Sequence, residues 1–181
     1  EEIGELDNTL IIFTSDNGGS AEGGLHGTFN ENGFFNGVPN IPYEVNRKFM
    51  EQWGNRGGVW HVTAGWTAAG NTPFQFYKQS AHRGGNADAL IISWPNGIPE
   101  EHNGDIREQY SHVVDIAPTI LATAGVEPPK VIDGVEQMSW DGIPLNYTFD
   151  APGADSKRKV QYYELFGNRA IYSDGWVAVT L

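Results

Sequence analysis

A continuous apolar run, Thr9-Leu-Ile-Ile-Phe-Thr14, leads straight into Ser15-Asp16-Asn17-Gly18-Gly19, and this junction constrains the chain more than any other feature. An unbroken apolar run of this length predicts a strand covered on both faces, as in a parallel sheet. Ligands in such sheets collect at the carboxyl ends of strands, which is where Asp16 and Asn17 fall. From there to Thr72 the sequence is dominated by Gly, Asn and aromatics, with at most one short helix near Glu44–Gln52. So long an irregular stretch predicts active-site loops. Pro73–Ala81 reads as a short helix or an ordered loop. A second apolar run, Ala89-Leu-Ile-Ile-Ser-Trp94, is stopped by Pro95-Asn96-Gly97. Asp115–Ala124 predicts an amphipathic helix with Asp115 as N-cap, Pro118 in the first turn and Gly125 as the stop. Pro128–Pro152 reads as a surface connection. Val160–Leu165, Arg169–Ser173 and Trp176–Thr180 read as β segments joined at Gly167-Asn168 and Asp174-Gly175, both hairpin signals. The expected fold class is α/β, part of a mixed sheet with helices followed by a small antiparallel element.

Charge narrows the partners. Among 181 residues, 23 are acidic and 11 basic, a net charge of −12. Nucleic acid and anionic membrane surfaces require a basic face that this chain does not supply. A hydrophobic content of 39%, with 12% aromatic, is too high for a disordered chain. Without cysteine there is no disulfide, thiolate metal site or thiol nucleophile. No apolar run reaches the length of a bilayer span. Glu1–Leu6 reads as the last turns of a helix, and Trp176–Leu181 as a β-rich run that stops without a turn. Both ends predict an internal piece of a longer protein.

Asp16 offers a carboxylate and Asn17 an amide oxygen, hard donors suited to Ca²⁺ or Mg²⁺. Taken alone, Asp-Asn-Gly is first of all common turn chemistry. Lys78, among Phe74, Phe76 and Tyr77 and ahead of Gly84-Gly85, can present a compact cation to an oxyanion. It can also be a surface lysine whose stem lies over an aromatic ring. The five histidines (His26, His61, His82, His102, His112) show no metal-ligand spacing. His112-Val-Val-Asp115 reads as a helix cap rather than as an acid–base pair. Trp53, Trp60, Trp66, Phe34 and Phe35 suit either an aryl or sugar face or the anchoring of loops.

As a set these segments resemble a known family. Thr9–Gly18 is similar to the second metal-binding segment of type I sulfatases, in the alkaline-phosphatase-like superfamily. Lys78–Pro95 resembles their Lys…Gly-Gly…Trp-Pro segment, and His112–Gly125 the helix that follows. Ala64–Phe74 and Gln161–Tyr172 resemble the bacterial arylsulfatase branch. The resemblance implies that Asp16 and Asn17 are two oxygen ligands of a Ca²⁺ and that Lys78 holds a sulfate oxygen. It also implies a formylglycine nucleophile made from a Cys/Ser-x-Pro-x-Arg motif, which is absent from these 181 residues. Arg83 stands where the family usually has Glu, and Ala87 where Arg is common.

The resemblance thus implies part of an arylsulfatase-like hydrolase acting on a sulfate ester, either a small molecule or a sulfated glycan. Residues 1–150 would be the C-terminal part of the catalytic domain and 151–181 the start of a small C-terminal β subdomain. A periplasmic or secreted location follows from the family's habit of export. Two alternatives stand beside this: a phosphate or phosphonate ester hydrolase of the same superfamily, and a non-catalytic relative that binds Ca²⁺ or a sulfated glycan.

Overall fold

A computed structural model describes residues 2–38 and 41–180, with the side chain of Phe34 left out. Contacts divide the chain into two units. One comprises Glu1–Ile12, Ile91–Gln161 and Tyr172–Trp176; the other comprises Phe13–Leu90, Tyr162–Ile171 and Val177–Leu181. In chain order the elements are β1 (Ile11–Thr14), α1 (Asn32–Phe35), α2 (Tyr43–Arg47), α3 (Ala64–Gly70), α4 (Arg83–Asn86) and β2 (Leu90–Ser93). They continue with α5 (Ile116–Ala124), β3 (Val131–Ile132), β4 (Val135–Glu136), β5 (Val160–Leu165), β6 (Asn168–Ser173) and β7 (Trp176–Val179). β1 and β2 form one sheet, β3 and β4 an antiparallel pair, and β5-β6-β7 a three-stranded sheet. The mixed α/β class is as the sequence predicts.

Both apolar runs form strands, but they are not buried. Ile11 is 44% exposed, Phe13 66% and Ile91 58%. Two strands cannot bury each other's faces, because side chains leave a sheet perpendicular to the pairing direction. The predicted helical turns before Leu6 are instead a turn at residues 2 and 3 and a bend at Gly4, with φ +73°, followed by a 3₁₀ turn at Leu6–Asn8. Glu1 and Leu181, the outermost residues of the two end segments, lie outside the described residues. The Gly/Asn-rich stretch holds more helix than expected, since α1 and α3 accompany α2. Thr63 explains α3: its Oγ1 accepts the Trp66 N–H at 3.2 Å, a side-chain N-cap. Pro73–Ala81 is an ordered loop.

In the first unit the core forms around α5. Its cap differs from the expectation. Val113–Asp115 already winds as a 3₁₀ turn, so the cap moves upstream to His112. His112 Nδ1 accepts the Val114 N–H at 3.3 Å, and Asp115 Oδ2 accepts the His112 N–H at 2.8 Å, closing a capping box. Gly125 ends the helix as predicted, with φ +67°. Asp115 and Thr119 are fully buried. Arg158 spans both carboxylate oxygens of Asp115, through Nε to Oδ2 at 3.1 Å and through Nη2 to Oδ1. Thr119 Oγ1 donates to the Asp115 carbonyl at 2.6 Å and accepts the Leu145 N–H at 2.8 Å. Leu145 and Phe149 are buried beside this network, so the Pro128–Pro152 connection is not wholly superficial.

Candidate functional site

In the second unit, Asp16, Asn17 and Lys78 line one cavity of about 500 Å³. Close backbone packing brings them there. The Gly18 N–H donates to the Gly85 carbonyl at 3.2 Å, the Lys78 N–H to the Gly19 carbonyl at 2.9 Å, and the Gly84 N–H to the Gln75 carbonyl at 2.9 Å. A Cβ on Gly18 would run into the Gly84 carbonyl, and one on Gly84 into the Phe76 carbonyl. The glycines after Asp16-Asn17 and after Lys78 therefore let the two loops touch backbone to backbone. Asn71 fastens the junction. Its Oδ1 accepts the Gly19 N–H at 3.1 Å, and its Nδ2 donates to the Phe76 and Gly84 carbonyls at 2.9 and 2.8 Å. Lys78 is flanked by two left-handed non-glycine residues, Phe76 at φ +61° and Gln79 at φ +74°. Such conformations persist only where surrounding bonds hold them, and they cluster at functional sites.

The donors fit a hard cation. Asn17 Nδ2 is committed to the Gly18 carbonyl at 2.8 Å, which leaves Oδ1 as its oxygen for a cation. Asp16 is exposed, and no hydrogen bond from a described residue engages its carboxylate. Burial, with the charge of Asp16 as the lesser cause, pushes the Asp88 carboxyl above the usual aspartate value. Two oxygens are fewer than the six to eight that Ca²⁺ takes.

Lys78 does not stand alone. Its Nζ lies 2.9 Å from Glu22 Oε2, with the side chains 33% and 10% exposed. The Lys78 hydrogen bond holds Glu22 below the usual glutamate range, and Glu22 holds Lys78 above the usual lysine value. Glu22 Oε2 also accepts from Ser20 Oγ at 2.9 Å, and Oε1 from Gln79 Nε2 at 3.0 Å. His61 Nδ1 lies 3.1 Å from the Gly23 nitrogen and 3.2 Å from the Val62 carbonyl oxygen, and its Nε2 shares a hydrogen bond with Ser20 Oγ at 2.9 Å. The row His61–Ser20–Glu22–Lys78 is thus hydrogen-bonded throughout. Glu22, Glu31 and His61 also bring ligand atoms within 4.8 Å of one another, a group that can hold a metal ion. With Glu22 paired as it is, a cation there would compete with the Lys78 ammonium.

Arg83 lies over the Phe74 ring, 5.1 Å from its centroid. Ala87 closes α4, its N–H donating to the Arg83 carbonyl at 2.8 Å. Of the predicted aromatics, Trp53 and Trp60 pair at 6.2 Å, and Trp60 Nε1 donates to the Asn55 carbonyl at 3.0 Å, which anchors a loop. Trp66 and Phe35 are 74% and 64% exposed. Sequence reasoning missed Glu22 and Asn71, and it located the β5–β6 hairpin without placing its Tyr163–Phe166 segment on the same cavity. Only Glu22 carried a signal, as a lone carboxylate inside the Gly-rich run after Asp16-Asn17.

Residues 1–126 match the sulfatase family. The chain is 31% identical over 180 residues to an uncharacterized sulfatase of Schizosaccharomyces pombe, covering 98% of this chain and 30% of that protein. It is 25% identical over 154 residues to an arylsulfatase of Klebsiella aerogenes, covering 81% of this chain and 29% of that one. It is 36% identical over 77 residues to an N-acetylgalactosamine-6-sulfatase of Sus scrofa, covering 41% and 14%. The chain belongs to the sulfatase family. It spans less than a third of the length of these relatives. Among the described residues no helix is long and apolar enough to cross a membrane.

Proposed function

We propose that this chain is the C-terminal portion of an arylsulfatase-like hydrolase of sulfate esters. Residues 1–150 belong to its catalytic domain and 151–181 begin a small C-terminal β subdomain; a periplasmic or secreted location accords with this reading. The observation that carries it is the convergence of Asp16, Asn17 and Lys78 on one cavity. In this reading Asp16 and Asn17 supply two oxygen ligands of Ca²⁺, and the remaining ligands and a formylglycine nucleophile come from residues outside these 181. A bound Ca²⁺ supplies fixed positive charge beside the sulfate. Lys78 binds and orients a sulfate oxygen. Its ammonium, already held by Glu22, need not reorganise as negative charge grows on the ester oxygen, and that is where preorganised electrostatics is worth most. Asn71 and the glycine contacts keep the two loops in register, so that metal ligands and lysine act on the same group.

The test is turnover of an aryl sulfate by the full-length protein, with metal content measured alongside. Asp16→Ala is expected to lower both bound Ca²⁺ and activity. A variant that keeps its metal and full turnover would return Asp16-Asn17-Gly18 to plain turn chemistry. Faster hydrolysis of the matching aryl phosphate than of the sulfate would move the protein to the phosphate-ester side of the superfamily.

A further inference from the structure

The β5–β6 hairpin turns through Phe166 and Gly167, with φ +53° and +86°. Glycine takes this conformation freely, whereas a phenylalanine resists it. Phe166 is also 81% exposed. A large ring is therefore held in water, in a backbone state it does not favour. The tip is fixed from both sides. The Gly167 N–H donates to Glu164 Oε1 at 2.8 Å, and Asn168 Nδ2 donates to the carbonyl of Gln79, the neighbour of Lys78, at 3.2 Å. Leu165 and Phe166 form an apolar wall of the same cavity that Asp16, Asn17 and Lys78 line. Strain kept in place by specific bonds beside a cavity points to a use for the strained side chain.

Charge narrows what that wall can meet. Lys78 is the one cation among the described residues lining the cavity, against Asp16, Glu22 and Glu164. The chain as a whole carries −12. A cavity with one lysine ammonium to offer matches a single anionic group attached to an uncharged body. A flat apolar body suits an exposed phenyl ring, through offset stacking and removal of apolar area from water.

We propose that Phe166, backed by Leu165, is a specificity-determining platform for the aryl group of an aryl monosulfate whose sulfate is held at Lys78. This rests on the sulfate-ester reading above and names its substrate class. The decisive variant is Phe166→Asn, because asparagine accepts positive φ and preserves the turn. In the full-length protein, binding of benzenesulfonate and methanesulfonate is measured by calorimetry, with kcat and KM for phenyl sulfate and ethyl sulfate. The expected result is about tenfold weaker benzenesulfonate binding and a similar rise in KM for phenyl sulfate. Methanesulfonate, ethyl sulfate, kcat and the melting temperature stay near parent values, and Phe166→Tyr restores benzenesulfonate affinity. Failure of the parent to bind benzenesulfonate, an unchanged affinity in Phe166→Asn, or equal loss for both sulfonates overturns the platform. An equal loss for glucose 6-sulfate overturns its aryl preference. If the parent hydrolyses neither ester while the sulfonate difference holds, the platform stands and the hydrolase reading falls.

Discussion

Two acid–base pairs show how differently one kind of bond can be used in this chain. In the first unit, Asp115 is wholly buried and Arg158 only 9% exposed. Each Asp115 carboxylate oxygen receives a backbone N–H as well as an arginine N–H: Oδ1 from Ile143 at 2.7 Å, Oδ2 from His112 at 2.8 Å. In the second unit, Glu22 accepts three hydrogen bonds, from Lys78, Ser20 and Gln79, but Lys78 is one-third open to a cavity, and its ammonium makes a single hydrogen bond among the described residues. A charge satisfied on every side holds a fold together. A cation fixed on one side and open on the other remains free to meet an anion.

Breaking the first pair is expected to have the largest effect. Asp115→Ala leaves the Arg158 guanidinium buried without its carboxylate and removes the acceptor for two backbone amides. The expected loss is about 3–5 kcal/mol of stability, read from denaturant or thermal unfolding of the full-length protein. A shift within about 0.5 kcal/mol, the range of an ordinary surface change, would show that the network is not what holds α5 to the segment around Leu145.

Breaking the second pair is expected to leave the fold and remove the rate. Lys78→Ala takes away one preorganised partner of the sulfate, typically about 2.7–4 kcal/mol of transition-state stabilisation, or roughly 10²–10³ in kcat/KM. The melt is expected to move by no more than about 1 kcal/mol, the size of a partly exposed ion pair. A rate within about threefold of the parent removes Lys78 from the site and erases the functional half of the comparison.

The two pairs also differ in how far the sequence announced them. Asp115 reads as an N-cap because Asp before an apolar helix usually is one, but the preceding 3₁₀ turn depends on His112, and the burial depends on Arg158, more than forty residues away. Long-range partners of this kind leave no local pattern. Asp16, Asn17 and Lys78 were legible because each is followed by glycines, and the need for close backbone approach is written in those residues. Glu22 lies in the same Gly-rich run, yet its pairing with Lys78 spans 56 positions and was not legible. The strands were found from unbroken apolar runs, but what covers them is a property of neighbours, so their exposure was not. Phe166 is not legible for a local reason: Gly167-Asn168 marks a hairpin without revealing that the residue before it also takes positive φ.

The smallest expected effect is the pH dependence of the Glu22–Lys78 pair. Lys78 holds the Glu22 carboxyl below its ordinary value of 4.5. A carboxyl with a depressed folded-state pKa binds its proton more weakly in the folded chain than in the unfolded one. The stability it contributes is fully present above the ordinary value and is lost as pH falls through the lowered one. Because Lys78 is one-third exposed, solvent screens the pair, and its contribution falls in the range of about 0–1 kcal/mol. Lys78 titrates far above this window and stays charged throughout, so the change belongs to the glutamate. The check compares melting of the parent and Glu22→Gln between about pH 6 and about pH 3. The parent is expected to hold a small advantage at the upper end that closes as the carboxyl protonates, and to lose much of it in high salt, where exposed pairs are screened. Curves that stay parallel across the window would mean that Glu22 contributes through its packing against Ser20 and Gln79 rather than through its charge on Lys78.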